Sequence, residues 1–346
     1  MMDTINPRQK EILARTIEAH IETALPVGSR TLAEHYRIQL SPASLRHEMG
    51  LLEERGYLTH PHTSAGRVPT DKGYHFYVKE IVREEPVPEE ILRQIASEMR
   101  SKIENLDDLM NRVSRILSVV AGEAVLVITP RLQELCLREL SLFTLDSRHV
   151  LAVWCSTSGL VQNCLVELET PLSQEEADRI RNFINRELGG TPVDQLENEL
   201  LKRIESCRDS LKDVYELTLE IIRESLPAES LPRLFVEGSR FILDQPEFRD
   251  VRKFQPLMAT LEERSALIKL LMRRATQAEI HVAIGEKELS KEIWDCALVS
   301  RSYHWLGKNV GTLAILGPRR MPYGRIMGLV HEMTESISQT LAKWGS

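Results

Sequence analysis

Residues 41–74 form the part of the chain whose structure the sequence restricts most, and they run SPASLRHEMGLLEERGYLTHPHTSAGRVPTDKGY. Ser41 is a good helix N-cap, and Pro42 stands at the first helical position, where its missing N–H costs nothing. Apolar residues then recur at i, i+4 and i+7, and therefore share one inward-facing stripe: Leu45, Met49 and Leu52. Gly56 follows where a helix of this length ends. The sequence predicts a short amphipathic helix over 41–55 with a polar outer face.

Two helical patterns precede this helix, and a hairpin pattern follows it. Pro7 opens the first pattern, and Ser29 caps the second after a Pro-Val-Gly break. Residues 57–68 can pair as two short strands around the turn-forming run 62–66. This order of elements is typical of a winged helix-turn-helix, in which the third helix enters the DNA major groove.

The outer face of the predicted helix carries residues suited to DNA. Arg46 and His47 can donate to guanine or to phosphate, and Ser41 with the first-turn N–H groups suits a phosphate at the positive helix end. On the hairpin, His60, His62 and Arg67 can reach the DNA backbone or the minor groove. Helix-turn-helix units also serve as protein-docking modules, so the pattern alone leaves both uses open.

Composition and charge limit the class of protein. Hydrophobic residues make up 42% and charged residues 27% of the 346 residues, as in ordinary globular proteins. No run approaches a membrane span and the first ten residues do not resemble a signal peptide, so we expect a cytoplasmic protein. The five cysteines form no CxxC pair, which argues against zinc and disulfides.

The net charge of −7 is unusual for a DNA-binding protein. Residues 1–80 hold ten Lys or Arg and ten Asp or Glu, so this region is neutral and the rest of the chain carries the whole excess. We therefore expect local basic spots on a neutral N-terminal region, with an acidic remainder held away from DNA.

The remainder of the chain begins at the Pro-rich acidic run 84–90. Apolar residues with alternating spacings of four and three then predict one linking helix over 88–121. Such a helix can pair with its copy in a second subunit or lie on its own sheet, and the sequence leaves both open. A final amphipathic helix is predicted over 322–344.

Strand patterns occur in two groups separated by a helical excursion, over 140–168 and 279–316. They predict one antiparallel sheet interrupted by a mostly helical insertion at 172–275. Leu234, Phe235 and Phe241 in the insertion are candidate dimer anchors, although an ordinary core role is equally open.

The chain lacks the sequence signatures of common catalytic sites. It has no Walker A loop, no GxGxxG after a strand, no HExxH and no nucleophile elbow. We therefore expect no enzymatic activity, no cofactor and no metal. The Gly-Pro-Arg-Arg run of 317–320 is expected to be a solvated loop.

Four motifs resemble the family of the heat-inducible transcription repressor HrcA: GSRTLAEHY, LSPASLRHEM, GYLTHPHTSAGRVPTDKGY and VGTLAILGP. The resemblance runs along essentially the whole chain and is strongest over residues 5–80. It implies an α+β multidomain fold with a winged helix-turn-helix at 1–83. A GAF-like antiparallel-sheet domain of 84–171 and 276–346 is then interrupted by a mostly helical dimerisation domain at 172–275.

The resemblance also implies a function. Members are dimeric bacterial repressors that bind an inverted-repeat operator, the CIRCE element, upstream of chaperone and chaperonin genes, and their activity depends on the GroE chaperonin and is lost on heat stress. By matching motif positions, the implied DNA contacts are Ser41, Ser44, Arg46 and His47 on the helix, with His62, Thr63, Ser64 and Arg67 on the wing. The sequence departs from the family at His47, where Asn is common, and at His75, where Arg is frequent.

Two other functions remain open at this stage. A GAF-like domain can hold a small molecule, so the chain could be a ligand-sensing transcription regulator whose pocket controls DNA binding. A protein-docking adaptor built on the same helix-turn-helix is the third candidate.

Overall fold

The computed structural model describes residues 5–36, 38, 40–61, 66–100, 103, 105–129, 136–157, 161–205, 212–225, 232–273, 279–285, 289, 293–305 and 308–344. The helices are α1 Pro7–Thr23, α2 Ser29–His35, α3 Pro42–Glu54, α4 Asp71–Phe76, α5 Glu89–Arg100, α6 Leu106–Ala121, α7 Gln174–Glu187, α8 Leu196–Glu205, α9 Lys212–Ser225, α10 Ser239–Asp244, α11 Val251–Glu262, α12 Arg264–Met272 and α13 Tyr323–Trp344. The strands are β1 Leu58–Thr59, β2 Val68–Pro69, β3 Ala124–Ile128, β4 Leu137–Thr144, β5 His149–Ser156, β6 Val161–Glu167, β7 Leu234–Glu237, β8 His281–Ile284, β9 Cys296–Trp305 and β10 Lys308–Pro318. The fold is therefore mixed α/β.

The N-terminal elements, α1 to α4 with the β1–β2 hairpin, are called the head here. They follow the predicted order of three helices and a hairpin. Asn6 and Gln9 form a reciprocal capping box at the start of α1. After α4 the helix continues as one π turn, Tyr77–Ile81.

The centre of the molecule is a five-stranded antiparallel sheet in the order β7-β3-β10-β9-β8. We call this sheet and the helices that cover it the body. Apolar side chains of α6 and α13 pack on one face of the sheet, in a core that continues into the head. Apolar side chains of α10, α11 and α12 pack on the other face. The two faces alternate along each strand: Val125 and Val127 point to the first core, Leu126 to the second.

The expectation of one interrupted sheet is wrong. Strands β4, β5 and β6 form their own three-stranded antiparallel sheet, which pairs with none of the five described body strands. The inward residues of this second sheet pack with α7, α8 and α9 in a separate hydrophobic core. The apolar alternation of these strands is satisfied by their own helices, so nothing requires them to join the body sheet. We call β4–β6 with α7–α9 the insert.

The candidate dimer anchors of the sequence analysis belong to the body. Leu234 and Phe235 lie on β7, which pairs with β3 in the register Leu234↔Ile128. Leu234 is buried in the core under α10–α12, and Phe235 packs against the opposite core. The ordinary core role, left open by the sequence, is the one observed for these two residues.

The linking helix predicted over 88–121 is two helices. Asn105 between α5 and α6 has extended backbone angles, φ −159° and ψ 177°, so the helix cannot run through it. Its side chain accepts the Asp108 N–H at 2.9 Å and thereby caps α6. Leu109, Val113 and Leu117 of α6 are fully buried, so this half lies on its own sheet. Within the described ranges, no helix has both the length and the apolar character needed to cross a membrane.

Candidate DNA-binding surface

The inward face of α3 is the part of the head that the sequence predicts most accurately. Leu45, Met49 and Leu52 are fully buried in the core shared with α1 and α2. The Ser41 side chain accepts the Ser44 N–H at 3.1 Å, as expected for an N-cap. Gly56 ends the helix with φ +75°, a left-handed conformation that other residues rarely adopt. These contacts fix the angle at which the opposite face of α3 meets solvent.

The outward face of α3 brings together all four predicted helix contacts. Ser41, Ser44, Arg46 and His47 are exposed and lie on the solvent side of the N-terminal half of the helix. The hydroxyls of Ser41 and Ser44 lie 3.0 Å apart and share a hydrogen bond. The Ser41 oxygen is the acceptor in the cap, and when Ser44 donates in the hydroxyl pair the Ser41 hydroxyl hydrogen is left for a phosphate.

The wing is anchored to the turn between α1 and α2. Val27 and Arg67 exchange two backbone hydrogen bonds, of 2.8 and 2.9 Å, and so form a single β-bridge at the base of the wing. Gly66 is required for this approach, since a Cβ there would stand 2.4 Å from the Val27 carbonyl carbon. The close approach of the two backbones therefore explains why the HTSAGR motif has a glycine at this position.

Arg67 lies at the base of the wing, where its side chain is only 13% exposed. Its Nε donates to Glu53 Oε2 of α3 at 3.1 Å, and Nδ1 of His60, which directly follows β1, contacts the second oxygen of Glu53. Partial burial acts to raise the pKa of Glu53, but hydrogen bonds from His60 and Arg67 outweigh it and hold the pKa below its usual value. The anionic Glu53 joins the wing to α3.

Of the four predicted wing contacts, the structure describes one. Arg67 is described and is turned toward α3, whereas His62, Thr63 and Ser64 lie outside the described residues. The sequence analysis missed Glu53 because it considered only the outer face of α3 and its cations. The signal available was a carboxylate in the last turn of the helix, directly ahead of a basic hairpin.

His75 faces the body and not the side of the head that carries Arg46 and His47. Its Nε2 lies 3.1 Å from the Ile284 carbonyl oxygen at the end of β8. His75 therefore contributes to the contact between head and body.

The expectation that residues 317–320 form a solvated loop is also wrong. Arg319 and Arg320 follow β10 and bind carboxylates, with Arg319 Nη1 2.8 Å from Asp71 Oδ1 and Arg320 held by Glu247. The Arg320 side chain is 13% exposed. A pair of arginines after a strand gives no sequence signal for this, because their partners lie far away along the chain.

Comparison with known proteins agrees with the resemblance seen in the sequence. The profile of the family described as HrcA protein C terminal domain matches residues 107–327, more than half of the chain. The heat-inducible transcription repressor HrcA of Desulforudis audaxviator is 34% identical over 98% of this chain and 98% of its own length. The protein of that name from Geobacter sulfurreducens is 33% identical over 98% of this chain and 99% of its own length.

A solved structure shares the fold over the whole chain. The crystal structure of a hypothetical protein matches with a TM-score of 0.63 and 20% identity, covering 99% of this chain and 100% of that chain. The profile match and the two relatives carry the assignment of the family, and the solved structure adds the likeness of fold. This chain belongs to the HrcA family.

Proposed function

We propose that this chain is a transcription repressor of heat-shock chaperone and chaperonin genes. It acts as a homodimer on an inverted-repeat operator of the CIRCE type in double-stranded DNA, in the cytoplasm, and loses activity on heat stress. The repressor role and its heat induction are supported by the name that the relatives carry over almost their full lengths. The operator, the dimer and the loss of activity rest on the resemblance and on the observations below.

The exposed face of α3 is the single observation that carries DNA binding. Arg46 and His47 stand on a capped helix whose opposite side is fixed in the core by Leu45 and Met49. A rigid helix with donors on its free face is what reading of base edges in the major groove requires. We propose the winged helix-turn-helix unit to be 1–83, with base contacts from Ser44, Arg46 and His47, a phosphate contact from Ser41, and wing contacts from His62, Thr63 and Ser64.

The role of Arg67 is proposed to differ from the one implied by its motif position. Its guanidinium is paired with Glu53 and mostly covered, so direct contact with DNA would first break that pair. We propose that Arg67 positions the wing on α3 and that the residues at the tip make the contacts.

The remaining chain is proposed to form two units with limits different from those implied by the resemblance. The GAF-like body comprises 84–129 and 232–344, because β3 and β7 pair with each other and belong to one sheet with β8–β10. The dimerisation unit is the insert, 136–225, because its strands and helices share a core of their own.

The outer face of the insert sheet supports a homodimer. Phe143 and Leu165 flank Leu151 in one row across the three strands, and their side chains are 52% and 58% exposed. Val161 and Leu145 are exposed on the same unit. Large apolar side chains in such a row mark interaction surfaces, and a two-fold operator requires a two-fold protein. We propose that two copies pair through this face.

The same apolar face offers a physical explanation for the dependence on GroE that the resemblance implies. A monomer would expose the Phe143–Leu165 row to solvent, and exposed apolar surface leads to aggregation when a protein is partly unfolded. We propose that heating shifts the protein toward this monomer and that the GroE chaperonin restores the dimer. Operator binding of purified protein before and after a heat pulse, with and without GroE, tests this step; full recovery of binding without GroE would overturn it.

The ligand-sensing alternative gains no support from the described residues. Both faces of the body sheet carry packed side chains, and the buried hydroxyls of Ser300 and Thr312 lie 3.5 Å from the backbone carbonyls of His281 and Leu271. We therefore keep the repressor as the one proposal.

The test is a footprint of the purified protein on the DNA upstream of its own chaperonin genes. We expect protection of two half-sites related by a two-fold axis, with loss of the footprint for Arg46→Ala. Arg15→Ala is the matched control, because it removes the same charge from α1, where Arg15 pairs with Glu18. Absence of any protected inverted repeat would overturn the proposal.

A further inference from the structure

We propose that Arg319 and Arg320 clamp the head to the body and thereby set the distance between the two operator half-sites that a dimer accepts. The inference rests on the proposed function, because it concerns how a dimer presents two heads to one operator. Each arginine contacts both the head and the body.

Arg319 joins α4 of the head to the end of the body sheet. Its Nη1 lies 2.8 Å from Asp71 Oδ1 in the first turn of α4, and its Nη2 lies 3.3 Å from Asp295 Oδ1 in the body. The same guanidinium donates to the Trp294 carbonyl at 2.9 and 3.2 Å. One side chain therefore holds a head carboxylate against two body acceptors, the Trp294 carbonyl and the Asp295 carboxylate.

Arg320 joins α1 of the head to the helical cover of the body. Its Nη1 donates to the Ile21 carbonyl in the last turn of α1 at 3.2 Å, a position that also favours a cation because of the helix dipole. Its Nη2 donates to Gln245 Oε1 at 2.7 Å, and its Nε and Nη2 bind Glu247. Charged groups that are mostly covered hold a defined geometry, because leaving either partner unpaired is costly.

The body is shaped to receive the head at this point. Gly285, with φ +74°, leaves space for the Asp71 carboxylate, since a Cβ there would stand 2.1 Å from Asp71 Oδ2. His75 of α4 contacts the Ile284 carbonyl beside it. The Tyr74 ring of the head lies 6.1 Å from that of Tyr323 of α13, which is fully buried.

The chain that connects head and body is held as well. The Glu85 N–H donates to the Gly324 carbonyl at 3.0 Å, and His331 Nδ1 of α13 lies 2.9 Å from Glu84 Oε1. Gly328 is one turn further on, where a Cβ would stand 2.1 Å from the Glu85 carbonyl oxygen. The connection is packed along α13 and does not act as a free tether.

A head fixed in this way has one orientation relative to the body. In a two-fold dimer the separation of the two α3 helices then follows from the body and the insert alone, and DNA must match it in half-site spacing and in helical phase. Release of the clamp would let each head find its half-site independently. The clamp should therefore determine how strongly operator affinity depends on the spacing between half-sites. It should leave the affinity for a single half-site unchanged.

The test uses the full-length protein and DNA selected by it. The wild-type protein first selects inverted repeats from a random duplex pool. The selected repeats are then resynthesised with spacers two base pairs shorter or longer, and also as single half-sites. Fluorescence anisotropy measures the affinity of each protein for each DNA. The variants are Arg320→Met and, as a milder change at the other arginine, Asp71→Asn. Arg325→Met is the matched control, because Arg325 contacts only the Val120 carbonyl among the hydrogen bonds of the body described here.

We expect the wild type and Arg325→Met to lose about tenfold or more in affinity when the spacer changes by two base pairs, which rotates one half-site by roughly 70°. For Arg320→Met and Asp71→Asn we expect a loss of about threefold or less, with single half-site affinity as in the wild type. Folded variants that keep the spacer dependence of the wild type would overturn the clamp. Failure of the wild type to select any inverted repeat would instead overturn the proposed function.

Discussion

Arg67 of the wing and Glu53 of α3 form an ion pair of 3.1 Å that connects the two elements of the head proposed to face DNA. His60, which directly follows β1, contacts the same carboxylate, so two side chains of the wing depend on one anion. We therefore propose that this acidic residue supports DNA binding, although its own charge repels phosphates. This opposition makes the pair testable.

Glu53→Gln should weaken operator binding. Removal of a negative charge near DNA would by itself strengthen attraction to the phosphates. Loss of the pair with Arg67 frees the wing, and we expect this effect to dominate with a loss of about threefold to tenfold in affinity, or roughly 1 kcal/mol. Fluorescence anisotropy at one fixed salt concentration measures it.

Glu54→Gln is the matched control for this change. Glu54 is the next residue, is exposed, and lies on the outward face of α3. Its replacement removes the same charge without touching Arg67, so we expect unchanged or slightly tighter binding. If Glu53→Gln bound operator as tightly as Glu54→Gln, the positioning role of the pair would be refuted.

Arg46→Ala should reduce binding to the operator more than binding to random DNA. An arginine that donates to a guanine edge contributes about 1–3 kcal/mol of discrimination, and its loss should relax the preference at one position of each half-site. Competition of Arg46→Ala and of the wild type against operator and random duplexes measures the two losses separately. Equal losses on both duplexes would identify Arg46 as a phosphate contact, and no loss on either would remove it from the DNA surface.

Leu165→Glu should separate the proposed dimer. The side chain stands in the exposed Phe143–Leu151–Leu165 row, and a carboxylate there would be buried without a partner if two copies paired through this face. We expect the dimer dissociation constant to rise by about 30-fold or more, equivalent to roughly 2 kcal/mol, in sedimentation velocity over a concentration series. Val251→Glu is the control, since Val251 is 68% exposed on α11 of the body. A dimer unaffected by Leu165→Glu would place the interface elsewhere.

The helices of the head could be predicted from the sequence because their signals are local. The Ser41 cap, the Pro42 start and the buried stripe of Leu45, Met49 and Leu52 lie within twelve residues, and the structure contains all of them. The same local reasoning identified the exposed face with Arg46 and His47. The wing tip residues His62, Thr63 and Ser64 remain predictions.

The arrangement of the sheets could not be predicted, because alternation along a strand identifies a buried face without identifying its partner. Strand β5 has the same alternation whether Val150 and Ala152 face α7 or a larger sheet. The clamp was missed for a similar reason, since Arg320 and Glu247 are separated by 73 residues. The prediction of one helix over 88–121 was wrong although a local signal was present. Asn105 with two aspartates in the following turn is typical of a helix start, whereas the apolar spacing continues across it.

Glu123→Gln should stabilise the protein at alkaline pH and flatten its pH dependence. Glu123 is 5% exposed at the start of β3. Burial raises the pKa of its carboxyl from 4.5 to about 8, with Arg320 opposing the rise and Glu247 adding to it. Between those two pH values the folded protein retains a proton that the unfolded chain has lost. The free energy of unfolding should therefore fall as the pH rises through this range.

Gln keeps the shape of the side chain and does not titrate, so the substitution removes the loss of stability that the wild type shows as the pH rises. We expect Glu123→Gln to exceed the wild type by about 1–3 kcal/mol at pH 8.5 and to match it more closely near pH 5, in urea unfolding at both pH values. Glu90→Gln, on the exposed side of α5, is the control and should leave the pH dependence of the wild type unchanged. A Glu123→Gln protein that lost stability between pH 5 and 8.5 as steeply as the wild type would show that this carboxyl is already ionised in the folded state.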